Sequence, residues 1–108
     1  MQTKQSEVLQ MFINVIKSYR NVVAICDKEL LGRKFEEEKF QLDVKENFFK
    51  GKEVSEKEAM EIIIDMAKED ATFNIIGVKS VNTALKCGII MKEGIGKIRD
   101  IPFALVLM

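Results

Sequence analysis

The side chains best suited to chemistry stand close together at Cys26-Asp27-Lys28-Glu29, with Arg33 just beyond. An enzyme made from this chain would rest on Asp27, Glu29, Arg33 and the Cys26 thiol. The chain contains no histidine at all. That removes the Ser–His and Cys–His pairs of nucleophilic catalysis, His-ligated zinc and a histidine pH switch. The second thiol, Cys87, lies far away, and no C-x-x-C spacing occurs. Both thiols sit in apolar surroundings, Val22-Val23-Ala24-Ile25-Cys26 and Ala84-Leu85-Lys86-Cys87, so they read as small core residues. Gly94-Ile95-Gly96-Lys97 lacks the spacing of a phosphate-cradling loop and reads as a turn. Glu36-Glu37-Glu38 reads as a solvated face, because adjacent side chains on an extended segment point in alternate directions. No cofactor or metal site follows from these residues.

Charge patterning speaks for binding instead. The 108 residues carry seventeen basic and seventeen acidic side chains, but the balance is uneven along the chain. Between positions 79 and 99, Lys79, Lys86, Lys92, Lys97 and Arg99 face only Glu93. Between 55 and 70, six carboxylates face Lys57 and Lys68, and Glu61, Asp65 and Glu69 recur at four-residue intervals. The basic segment is suited to a few RNA phosphates. The acidic ridge is suited to a basic partner or simply to solvent. Tyr19, Phe48 and Phe49 are candidates to stack bases, although loop aromatics commonly fold back on the core.

These groups need a scaffold. A chain of this size forms one domain and buries a core without disulfides or metal. Residues 1–10 are polar and aperiodic and read as a flexible extension; residues 11–108 form the domain. Met11 to Ile16 is rich in β-branched residues and predicts a strand. Val22 to Cys26, apolar on both faces, predicts a central strand joined to the first by a hairpin. Asp27 to Gly32 predicts one helical turn, opened by the Asp27 side chain and closed by Gly32. Arg33 to Lys39 is a charged stretch. Phe40, Leu42 and Val44 alternate with polar residues as in a half-buried strand. Phe48 to Lys52 reads as a loop. Ser55-Glu56-Lys57-Glu58 is a capping box opening a helix to about Lys68. Asp70 or Thr72 is expected to open a short helical segment ending at Gly77. Val78, Val81, Ala84 and Leu85 keep helical spacing up to Gly88. A short strand near Lys97 and a final strand from Phe103 complete the chain. The predicted class is α+β, with a mainly antiparallel sheet and two to three helices on one face. Phe103 to Met108 carries no charge. It is expected either inside the sheet or at an edge covered by a partner chain.

The stretch Cys26-Asp27, Glu29, Leu30-Leu31-Gly32, Arg33 and Phe35 after a valine-rich strand resembles an archaeal family known as domain of unknown function 424. The resemblance continues through Phe48 to Lys52, Asn74 to Gly77, Ser80-Val81, Ala84 to Gly88, and Ile98 to Ala104, including Pro102. It implies a small α+β protein of the archaeal cytoplasm, linked to RNA and translation. Two departures accompany it. Family members often begin near Met11. They also tend to carry Val-Pro-His-Ala-Gln where this chain has Ile101-Pro102-Phe103-Ala104-Leu105. Loss of that histidine removes general acid–base chemistry there.

The apolar runs are far shorter than the roughly 20 residues needed to span a bilayer, and the first seven residues contain no apolar signal region. The expected partners are RNA or the ribosome, or a second copy of the chain. No membrane contact and no small-molecule ligand are expected. The expected function is a non-enzymatic binding module. A homodimeric or protein-interaction domain is the alternative, with an enzyme third.

Overall fold

The computed structural model describes residues 8–107. Six strands make the main sheet. They are β1 (Met11–Ile16), β2 (Val22–Asp27), β5 (Lys52–Val54), β6 (Thr72–Ile76), β7 (Gly96–Ile98) and β8 (Ile101–Val106), in the spatial order β5-β1-β2-β6-β8-β7. All neighbours run antiparallel except β2 and β6, the central pair, which are parallel. Between them the chain makes a separate hairpin, β3 (Lys34–Glu37) with β4 (Phe40–Asp43), then the single-turn helix α1 (Glu46–Phe49) and helix α2 (Glu56–Lys68). Helix α3 (Val78–Cys87) follows β6 directly. The class is α+β, as the element pattern predicts.

Alternation along the strands divides the apolar residues between two cores. Ile13, Val23, Ile25, Phe73, Ile75 and Ala104 face one side, where Ala59, Ile63 and Met66 of α2 and Val81 and Ala84 of α3 cover them. Ala24, Cys26 and Ile76 face the other side. There Leu30, Leu42, Val44 and Phe49, from the hairpin region and α1, form the cover. The two long helices therefore share one face as expected, while α1 lies opposite them.

The capping box performs as predicted at its first contact: Glu58 N–H donates to Ser55 Oγ over 3.2 Å. Glu58's carboxylate pairs with the Lys52 ammonium. Helix α2 stops where Asp70 turns to φ +58°, a left-handed geometry that Asp tolerates better than most residues.

Two local expectations are corrected. The segment after Asp70 is the strand β6, not a helical turn. Its Phe73 and Ile75 alternate with Thr72 and Asn74, and burial on both sides of the sheet centre decides its conformation. Phe48 to Lys52 is not loop throughout but the end of α1 and the start of edge strand β5. The charged stretch at Lys34–Glu37 is an exposed strand, paired to β4. Of the expected N-terminal extension, residues 1–7 lie outside the described residues. Gln10 is tied down: its N–H donates to Val54 O and its carbonyl accepts from Lys28 N–H.

Phe73 is fully buried at the sheet centre. Phe73→Ala should lower unfolding free energy by about 3–5 kcal/mol, read as an earlier urea midpoint with an unchanged slope. An unchanged midpoint would contradict this packing.

Candidate functional site

The parallel pair brings the ends of β2 and β6 side by side, with Cys26 opposite Ile76. The next residues are Asp27 and Gly77, and α3 starts immediately after Gly77. The first amides of a helix have no partner within it and carry partial positive charge. Asp27 fills that place. One carboxylate oxygen accepts from Lys79 N–H at 3.0 Å; the other accepts from Ser80 N–H and Ser80 Oγ–H, both at 2.8 Å. Asp27 is only 2% exposed and Ser80 is fully buried. Charge-assisted bonds of this kind offset the cost of burying a carboxylate.

Gly77 makes the approach possible. A Cβ there would lie 2.3 Å from the Asp27 carboxyl carbon, and its φ of +114° is a left-handed geometry suited to glycine. Gly77 N–H donates to the carbonyl of buried Pro102 over 2.8 Å. Asp27, Gly77 and Pro102, distant in sequence, thus meet at one point.

This corrects the sequence reading of Asp27. Its side chain does not cap the turn that follows it, the 3-10 turn Lys28–Leu30, but caps α3 about fifty residues away. Gly32 keeps its expected role, at φ +83°, and its N–H donates to Val44 O. Leu30 is buried and Leu31 packs beside it in the second core. The motif Cys26, Asp27, Leu30, Leu31, Gly32 and Pro102 is therefore accounted for by the architecture.

The other reactive-type groups are similarly engaged. Burial pushes the Cys26 thiol up to about 12, with the adjacent Asp27 carboxylate adding to the shift. Burial also raises the Cys87 thiol. Partial burial acts upward on Glu29, but its own backbone amide and the Lys79 ammonium outweigh it and hold the carboxyl below its ordinary value. Among the described residues, no three His, Cys, Asp or Glu side chains are grouped to hold a metal ion.

The five basic residues fall into separate settings. Lys79 pairs with Glu29 at 3.0 Å and Lys86 with Glu56 at 2.6 Å, and both line a hollow with Gln10 and Asn82. Arg99 donates from its backbone to Glu37 Oε1 and from Nε to Glu36 O. With Lys97 it lines a second hollow, beside Glu37, Glu38 and Asp100. Lys92 stands on the 3-10 turn Lys92–Gly94. Lys92 and Lys97 are exposed, and neither has an ion pair among the described residues.

Of the aromatics, Phe49 is buried and meets Phe48 edge to face at 5.1 Å; Tyr19 is fully exposed. Asp65 of α2 and Glu69, just past its end, share their surface with Lys17 and Lys68. Phe103, at the place of the resembling family's histidine, packs beside Gly96; a Cβ on Gly96 would come within 2.7 Å of the ring. No helix among the described residues is long and apolar enough to cross a membrane.

Sequence reasoning missed the role of Ser80. Its signal was present: a hydroxyl at the third position of a helix preceded by glycine. The partner carboxylate lay too far off in sequence to be inferred.

A family model described as "Protein of unknown function (DUF424)" matches residues 16–108. No curated protein matches the chain significantly. Among solved structures, an uncharacterized conserved protein from Methanopyrus kandleri is similar in fold, with a TM-score of 0.81, 21% identity and 90% of each chain covered.

Asp27→Ala should lower stability by about 3 kcal/mol, because it leaves two amides and a hydroxyl without their acceptor. Asp27→Asn, which keeps one acceptor, should lose less. Equal losses in urea titrations would contradict the double acceptance. A thiol reagent at pH 8 should leave Cys26 unmodified in the native chain and modify it after unfolding. The raised thiol has a definite sign: its contribution to stability is complete below about pH 9 and is lost as pH rises toward 12.

Proposed function

The chain belongs to the DUF424 family, described as a protein of unknown function, and from that premise we propose that it works as a non-enzymatic binding module. One observation carries the reading: the carboxylate best placed for chemistry, Asp27, is occupied by the first amides of α3. Two further features support it. The Cys26 thiol is held in its neutral form. Phe103 supplies no proton donor or acceptor where the resembling family offers histidine.

The proposed partner is RNA, in the translation setting that the sequence resemblance implies. Lys92 and Lys97 are the contact residues, because their ammonium groups are exposed and unpaired among the described residues. Lys79 and Lys86 contribute less, since Glu29 and Glu56 already neutralise them. Arg99 positions strand β7, which carries Lys97, by holding the β3–β4 hairpin. A second reading, an interaction domain that pairs with itself, is favoured by the exposure of Leu105 and Leu107.

Fluorescence anisotropy with labelled single-stranded RNA over a salt series tests the RNA reading. Each phosphate contact adds about 0.7 to the slope of log affinity against log salt. Replacing both Lys92 and Lys97 with Ala should therefore flatten the slope by roughly 1.4 and weaken binding. Lys79→Ala should flatten the slope less than replacing either Lys92 or Lys97 alone. An unaltered slope in the double variant, or no binding at low salt, would overturn this partner.

A further inference from the structure

Strand β8 is interior over only half its length. Strand β7 pairs with Ile101, Pro102 and Phe103, and there its ladder ends. On its other side β6 pairs as far as Val106. The Pro102 carbonyl accepts from Gly77, so its main-chain groups face β6. Main-chain groups alternate sides along a strand. Those of Leu105, and of Leu107 just past the strand, therefore point away from β6. Among the described residues no strand meets them there. The two side chains are 56% and 73% exposed.

An open margin of this kind is a template for another strand. Most other margins carry charge within the strand or directly after it. Edge strand β5 carries Lys52 and Glu53, β3 carries Lys34, Glu36 and Glu37, β7 carries Lys97, and β1 runs directly into Lys17. From Ile101 to Leu107 there is no ionisable side chain.

We propose that the second half of β8, from Ala104 to Leu107, pairs antiparallel with the same segment of a second copy, joining the two six-stranded sheets edge to edge. Charge permits a second copy as the occupant, and the two-fold match of the outward groups of Leu105 and Leu107 selects it. A charged strand laid against itself in this way places like charges across from one another, which is destabilising. An uncharged strand meets its own copy without that repulsion. Antiparallel edge pairing is also isologous: one two-fold axis satisfies both copies with the same surface. With Leu105 of one copy opposite Leu107 of the other, the outward amides and carbonyls of both residues find partners. The inference rests on the self-pairing reading alone and is independent of RNA contact.

Sedimentation velocity on the full chain over a concentration series tests it. The unmodified chain should show a monomer–dimer equilibrium. Leu105→Pro removes an N–H that points outward, not one used by the β6 ladder, and should raise the dissociation constant more than about tenfold. A retained cooperative melt shows that this variant is folded. Should it fail to fold, a second substitution, of the exposed Leu105 and Leu107 together by Lys, should give the same dissociation, because it sets like charges directly across both 105–107 pairs. A strict monomer at the highest attainable concentration overturns the proposal. So does a dimer that both substitutions leave intact. RNA binding measured on the monomeric variant separates the two readings: its retention leaves the RNA proposal standing while the dimer is lost.

Discussion

A single carboxylate organises the molecule. Asp27 ends one strand of the central parallel pair and holds the first amides of the helix that leaves the other. Without it, α3 would begin with buried donors and no acceptor, and each such group costs about 1–3 kcal/mol. The helix places Val81 and Ala84 against Phe73, Ile75 and Ala104. The cap therefore fixes how the helix layer seats on the sheet. Gly77 and Pro102 are bound to the same point, the first by the absence of a side chain and the second by its carbonyl. A motif that looks like a reactive centre in sequence is thus a joint of the fold.

That joint also bears on ligand binding. In open α/β sheets, ligands gather beyond the carboxyl ends of parallel strands, where helix amides await an anion. Here the position is filled from within the chain. Exchange against an external anion would have to expel a buried carboxylate that has three donors. The proposed recognition surfaces are accordingly peripheral: the turn that carries Lys92, the edge strand β7 that carries Lys97, and the margin of β8.

Much of the architecture was legible because local patterns and global demands agreed. β1, β2, α2, α3 and β8 each show their period, caps or β-branched content, and all appear near their expected positions. The failures share one physical cause, which is distance. Thr72 to Ile76 offers only five residues, too few for its period to be decided locally; β2 on one side and β8 on the other decide it. Lys34 to Glu37 is a strand because β4 folds back on it, against the preference of its charged residues for solvent. Asp27 precedes a turn and looks like its cap, yet the amides that need it most belong to α3. The basic segment was legible as a run of charge. Its division between paired and free lysines was not, because Glu29, Glu56, Glu36 and Glu37 all come from outside it.

The parallel pair also sets how far apart in sequence the joined segments lie. The ladder between β2 and β6 closes a loop that contains the hairpin, α1, β5 and α2, and the second neighbour of β6 is β8, at the far end of the chain. Helix α3 has ten residues, short enough to be marginal in water on its own. Its cap is delivered by a strand more than fifty positions earlier. Such long loop closures must be made before their contacts reward them, which slows folding. No N-terminal fragment that stops short of β8 holds the sheet centre in its final form. The folded contacts therefore tie together nearly all of the chain's length, and α3 has its cap only where it is docked on the sheet.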